Sequence, residues 1–227
     1  MSTRVRDFIS ATAVAAALAV APGVASAQDD TTTAEQEGAG NGDLGLQGGE
    51  PVDDQGRPLG EEYILETSGD WEIRCVTTSL PDDPCTLHQV LREQGDSPVA
   101  EISVFNLPDG DRFEAASTVA TPLETLLSAK VTLSVDGGSR RRYDFTFCTP
   151  SSCVAQFGME TAVVDAFRRG AEALIEIVPL RARDQTVGLT VSLMGFTAGY
   201  ERIEELNAAN AAAIAASRAE QAGQSGE

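Results

Sequence analysis

Four cysteines, a single histidine and one run of three arginines are the residues whose types and spacing could carry chemistry in this chain. Nine residues separate Cys75 from Cys85, and four separate Cys148 from Cys153. A zinc site wants closely spaced cysteine pairs, and a redox motif wants two residues between its thiols, so neither pattern fits. In an exported chain, four cysteines read instead as two disulfides. Three pairings can be written. Short-range bonds Cys75–Cys85 and Cys148–Cys153 fit best, because each pair flanks a turn between two expected strands. Each bond would add roughly 2–3 kcal/mol by restricting the unfolded chain.

His88 would have to serve any Ser-His-Asp or Cys-His site. It falls in the strand-like stretch Cys85 to Leu91, where alternation puts Thr86, His88 and Val90 on one face and Leu87 and Gln89 on the other. That mixed pattern suits a strand near the domain surface, with His88 solvated. There is no Gly-x-Ser-x-Gly elbow, no phosphate-cradling glycine loop and no zinc-protease histidine pair. Asp82 and Asp83, and Asp109 and Asp111, sit in turn sequences where aspartate is expected anyway. No catalytic residue, metal ligand or cofactor site is expected. Arg140, Arg141 and Arg142 form the one basic run and are the possible interaction site, facing an anionic component.

These residues need a scaffold, and the apolar segments supply it as short β-formers. Strands are expected at Trp71–Thr77, Cys85–Leu91, Val99–Phe105, Ala116–Ala120, Val131–Val135, Arg141–Phe147, Cys153–Phe157, Leu174–Val178 and Thr190–Phe196. Turn chemistry lies between them, as in Pro81-Asp82-Asp83-Pro84 and Asp136-Gly137-Gly138. In Tyr143 to Phe147, alternation puts Tyr143, Phe145 and Phe147 on one buried face, ahead of a turn at Thr149 to Ser152. Many short strands at this spacing make an antiparallel sandwich or barrel. Glu160 to Arg169, ending at Gly170, reads as a short internal helix. From Glu201 an alanine-rich tail favours a peripheral helix with a thin apolar stripe.

Ahead of the domain lie two segments of other kinds. Arg4 and Arg6, the apolar Phe8–Val20 and the small-residue site Ala25-Ser26-Ala27 read as a signal peptide, residues 1–27. Residues 28–62 hold ten acids against Arg57 alone and no aromatic residue, so an acidic, disordered linker is expected. The folded domain is then expected over 63–200 and the tail over 201–227. Without the signal, fourteen basic and thirty-four acidic residues remain, a net charge of −20. Nucleic acid and anionic lipid are poor partners for such a chain. No later segment offers eighteen uninterrupted apolar residues, so no membrane span is expected after cleavage.

Asp70-Trp71-Glu72-Ile73-Arg74-Cys75, then Pro84 to Leu91, then the Cys148 to Ala155 hairpin resemble the invasion-associated locus B family of bacterial envelope proteins. Leu193-Met194-Gly195-Phe196-Thr197-Ala198 resembles the end of that domain. The resemblance implies an immunoglobulin-like β-sandwich exported to the periplasm or outer membrane, with no established catalytic residues to carry over. A non-enzymatic module that binds an envelope or cell-surface protein is the expected function; a periplasmic hydrolase using carboxylates is the alternative.

Overall fold

The computed structural model describes residues 49–93, 97–108 and 112–224, with side chains to residue 219. The expected signal peptide, the acidic linker up to residue 48, the turns at 94–96 and 109–111 and the last three residues lie outside them. Two antiparallel sheets form the body. The larger is built from β1 (Glu62–Ser68), β2 (Trp71–Val76), β3 (Cys85–Arg92), β4 (Pro98–Asn106), β5 (Ala115–Thr121), β8 (Phe147–Cys148) and β9 (Cys153–Met159). Its order is β1-β2-β3-β4-β5-β9-β8. The smaller, ordered β11-β10-β6-β7, uses β6 (Val131–Val135), β7 (Arg141–Tyr143), β10 (Glu172–Ile177) and β11 (Val187–Ser192). The described residues thus form an antiparallel β-sandwich with two α-helices, α1 (Thr161–Arg169) and α2 (Phe196–Gln224).

Period-2 patterning puts one face of each sheet inside. Trp71, Ile73, Leu87, Leu91, Ile102, Val104 and Val119 of the large sheet are buried, as are Val131, Leu133, Ile175, Leu189 and Val191 of the small one. Each fully buried aliphatic side chain contributes roughly 1.5–3 kcal/mol. One polar clamp crosses this core. The Gln89 amide donates to Asp70 O (3.2 Å) and Ser192 O (3.0 Å) and accepts from Ser192 N–H (2.8 Å). Trp71 Nε1–H donates to the same Ser192 carbonyl at 2.8 Å. Both side chains are buried with their hydrogen bonds made, so the clamp ties β3 to β11 without leaving an orphaned polar group.

Several expectations need correction. Arg141 to Phe147 is not one strand. Arg141–Tyr143 pairs with β6 in the small sheet, whereas Phe147–Cys148 pairs with β9 in the large one. Residues 144–146 carry the chain across. Tyr143 stacks on Phe157 at 3.8 Å, which holds this crossing, and Phe147 faces solvent at 47% exposure. Alternation cannot anticipate a switch of sheets. The last strand ends at Ser192 rather than Phe196, because Phe196 opens α2. Phe196, Tyr200 and Ile203 are each fully buried, at i, i+4 and i+7 on one helix face. Thus the helix starts before Glu201, and its first turns are core rather than peripheral.

At the other end, residues within the expected linker are ordered. Val52 bridges Pro58, Leu59 N–H donates to Pro51 O (3.0 Å), and Arg57 spans Asp53 (2.6 Å) and Asp83 (2.9 Å). Asp83 also accepts from Tyr63 Oη (2.9 Å) and Thr78 N–H (2.7 Å). These donors hold its carboxyl below the usual carboxylate range against the opposing effect of burial, the largest single influence. The turn is therefore anchored beside the Cys75–Cys85 neck. β1 was not anticipated, since its residues are mostly exposed on both faces and show no alternation.

Candidate interaction surfaces

Cys75 faces Cys85 across the β2–β3 ladder, and Cys148 faces Cys153 across β8–β9. Each pair is bonded, with Cα atoms 4.0 Å apart. The Cys148–Cys153 hairpin is finished by Thr149, whose Oγ1 accepts from Ser152 N–H at 3.1 Å. The bridges close two necks, and neither sulfur pair is left to do chemistry.

The structure overturns the solvated His88. Its ring lies on the outward face of the large sheet, yet only 5% of the residue is exposed. Its cross-strand neighbours are Glu72 on β2 and Ser103 on β4, and the charges of Arg74 and Glu101 also act on it. Nδ1 lies 3.1 Å from Ser103 Oγ. Nε2 lies 3.4 Å from Glu101 Oε2 without hydrogen-bond geometry, so it is a buried nitrogen with no hydrogen-bond partner. Strand alternation gives the face; it does not tell how neighbouring side chains fold over a residue.

Burial and the Arg74 charge lower the His88 pKa, against a smaller opposing pull from Glu101, Glu72 and Glu62. The unfolded chain then binds the proton more readily than the folded one. Stability from neutral His88 is complete above the unfolded value of 6.5 and is lost as pH falls below it. We expect the melting temperature to drop between pH 7.5 and 5.5, and His88→Gln to flatten that drop. An undiminished slope in the variant would assign the acid sensitivity to other groups.

Ser103 and Glu101 flank the two ring nitrogens of His88, but only the Ser103 contact is a hydrogen bond, so the three do not form a Ser-His-carboxylate relay. They also stand on the central strands β3 and β4, whose facing residues are joined in the sheet ladder. Backbone N–H groups in a ladder cannot also serve a developing oxyanion. The Ser103 contact holds one side of a buried imidazole. Among the described residues no group of three His, Cys, Asp or Glu forms a metal cluster.

The arginine run divides in the same way. Arg142 faces Thr132 across the β6–β7 ladder and points outward, whereas Arg141 faces Leu133 and reaches Glu160 on the α1 side at 3.2 Å. Arg140 pairs with Glu176. Arg140 and Arg142 line a cleft of about 300 Å³ together with Lys130, Thr132, Glu176 and Thr186. Lys130 is the only lysine in the chain. It follows the 3-10 turn Leu127–Ala129 with φ +65°, a conformation that costs a non-glycine residue roughly 1–3 kcal/mol. Its Nζ lies 2.9 Å from Asp144. Arg142 donates to Ala129 O at 3.0 Å, and no carboxylate among the described residues pairs with it. The cleft therefore carries one uncompensated cation. Lys130 and Glu176 escaped sequence reasoning because their segments are distant from residues 140–142 and meet them only through the β7-β6-β10 order.

Comparison with known proteins gives concordant results. No curated protein matches the chain. The crystal structure of invasion associated protein B from Bartonella henselae is similar, with 25% sequence identity and a TM-score of 0.53. The alignment covers 63% of this chain and 96% of that one. The model of the invasion associated locus B (IalB) protein family matches residues 71–204, from the clamp tryptophan to the buried turns of α2, and so the chain belongs to the IalB family.

Proposed function

We propose that this chain is an exported, non-enzymatic module of the bacterial envelope, which captures an acidic segment of an envelope or cell-surface protein in the cleft framed by Lys130, Arg140 and Arg142. The observation that carries this reading is Arg142, whose charge has no carboxylate partner among the described residues and which lines an open cleft. Family membership supports the envelope setting. No helix among the described residues is long and apolar enough to cross a membrane. The chain's net charge of −19 repels acidic partners at a distance, so capture has to come from contact inside the cleft.

The test uses the single lysine. An amine-directed crosslinker applied to intact envelopes can react with this chain only at Lys130 and the N-terminus, so Lys130 adducts report a partner at the cleft. Arg142→Glu is expected to reduce those adducts about ten-fold, in keeping with loss of a contact charge. Arg141→Glu should leave them unchanged, because Arg141 turns toward Glu160. Equal loss in both variants, at equal melting temperature, would make the cleft irrelevant to capture.

A further inference from the structure

The outward face of the large sheet carries a second feature. Register places Val90, Glu101, Ala120, Val154 and Phe147 in one cross-strand row running over β3, β4, β5, β9 and β8. Side chains opposite one another in an antiparallel ladder share a face, so the row is an apolar strip interrupted by one carboxylate. The neighbouring row is Glu72, His88, Ser103, Thr118 and Gln156, which is polar throughout. Where the apolar strip meets the Cys148–Cys153 hairpin, a groove of about 470 Å³ opens, lined by Val90, Val99, Glu101, Ala120, Pro122 and Ser151 among others.

Among the described residues Glu101 is the only charged one of that lining. Its carboxylate is half exposed, and its one ionic contact among the described residues is His88 Nε2, 3.4 Å away. Burial keeps His88 neutral near pH 7, so this contact leaves the Glu101 charge uncompensated. We infer that the groove docks an extended segment of a partner protein that carries a lysine or arginine between apolar residues, its cation on Glu101 and its neighbours along Val90, Val99, Ala120 and Pro122. Charge complementarity selects this occupant. An anionic segment would meet Glu101 directly, and a wholly apolar one would bury that carboxylate without a partner. The long aliphatic stem of Lys or Arg suits such a site, covering apolar surface while its head stays at the carboxylate. The net charge of −19 draws basic segments toward the surface, the opposite of its effect at the Arg142 cleft.

The experiment titrates two blocked pentapeptides, leucine-valine-lysine-valine-leucine and its glutamate-for-lysine counterpart, into 15N-labelled protein purified as the cell exports it. Amide shifts are followed up to about 1 mM, the range of weak single-segment docking. The lysine peptide is expected to move the amides of Val90, Val99, Glu101, Ala120 and Ser151, and the glutamate peptide to move none of them. Glu101→Gln should weaken the lysine peptide about five-fold, the size of one partly exposed charge contact. Ala120→Lys, which places a cation in the groove, should abolish its binding at unchanged melting temperature. Arg142→Glu should leave it intact, which separates this site from the basic cleft. Shifts confined to the Lys130–Arg142 region, equal binding of both peptides, no shifts in the titrated range, or full affinity in Glu101→Gln would each overturn the inference.

Discussion

A chain ended at Tyr200, where sequence patterning closes the domain, is expected to be unfolded or severely destabilised; a chain ended at Ala216 should melt within a few degrees of the full protein. The difference lies in three residues of α2. Ile203 is fully buried in the common core, and removing it forfeits roughly 1.5–3 kcal/mol of apolar burial. Asn207 accepts from Cys85 N–H at 2.8 Å and donates to Cys85 O at 2.9 Å, while also bonding Asn106. Asn210 is buried and donates to Asp82 O at 2.5 Å. Loss of the two asparagines would orphan backbone groups at the Cys75–Cys85 neck, at about 1–3 kcal/mol for each that stays buried. These losses are not additive, but together they rival the 5–15 kcal/mol of an ordinary domain. Beyond Ala216 no described side chain is buried, so its loss removes little. Thermal melts of both truncations, with far-UV circular dichroism, would decide it. A cooperative Tyr200-ended protein with a near-native melting temperature would refute the core role of α2.

Gly195→Ala is expected to destabilise the protein by about 3 kcal/mol or more, in the range reserved for core disruption and backbone strain. Gly195 lies at φ +85°, and a Cβ there would stand 2.1 Å from Ser68 O and 2.4 Å from Ser68 C. The facing Gly69, at φ +58°, is as tightly placed, its Cβ falling 2.3 Å from Met194 O. The β1–β2 turn and the β11–α2 turn therefore touch backbone to backbone. Asp70 N–H donates to Met194 O (3.1 Å) and Ser68 Oγ donates to Gly195 O (2.8 Å). A methyl group has to part these turns, and in doing so pulls on the Trp71–Ser192–Gln89 clamp beside them. Gly137→Ala is the control. It has a similar φ of +68° but open space, so it should show only the left-handed penalty of roughly 1–2 kcal/mol. Denaturant unfolding of the three proteins measures the comparison, and equal effects at Gly137 and Gly195 would show that close approach contributes nothing.

Both predictions rest on residues whose local meaning the sequence carries only in part. Gly195 stands in a stretch that resembles the end of the IalB domain, yet nothing local says that its neighbour is Ser68, 127 positions away. Ile203 and Leu206 read as a thin stripe because the alanines around them hide how deeply the first turns of α2 are set. The helix starts at Phe196 because Phe196 packs with Trp71, Phe167 and Tyr200, contacts no propensity scale contains.

The sequence by itself determined what depends on short-range pattern. Alternation in β2 to β6, the Asp136-Gly137 turn and Gly170 after α1 specify strands, hairpins and a helix end through residues a few positions apart. Together with the Trp71, Cys85 and Cys148–Cys153 motifs they carried the family and the all-β class. Only the tertiary structure decided the functional surfaces, because these join residues from strands adjacent in a sheet rather than in the chain. The order β7-β6-β10 brings Arg142, Lys130 and Glu176 to one cleft and sends Arg141 to the opposite face. The order β2-β3-β4-β5-β9-β8 lays Glu101 into an apolar row and sets His88 between Glu72 and Ser103. Strand order is set by which apolar faces bury best together, a property of the whole core. That is why residue types showed where charge was available, and only the fold showed which charge is left without a partner.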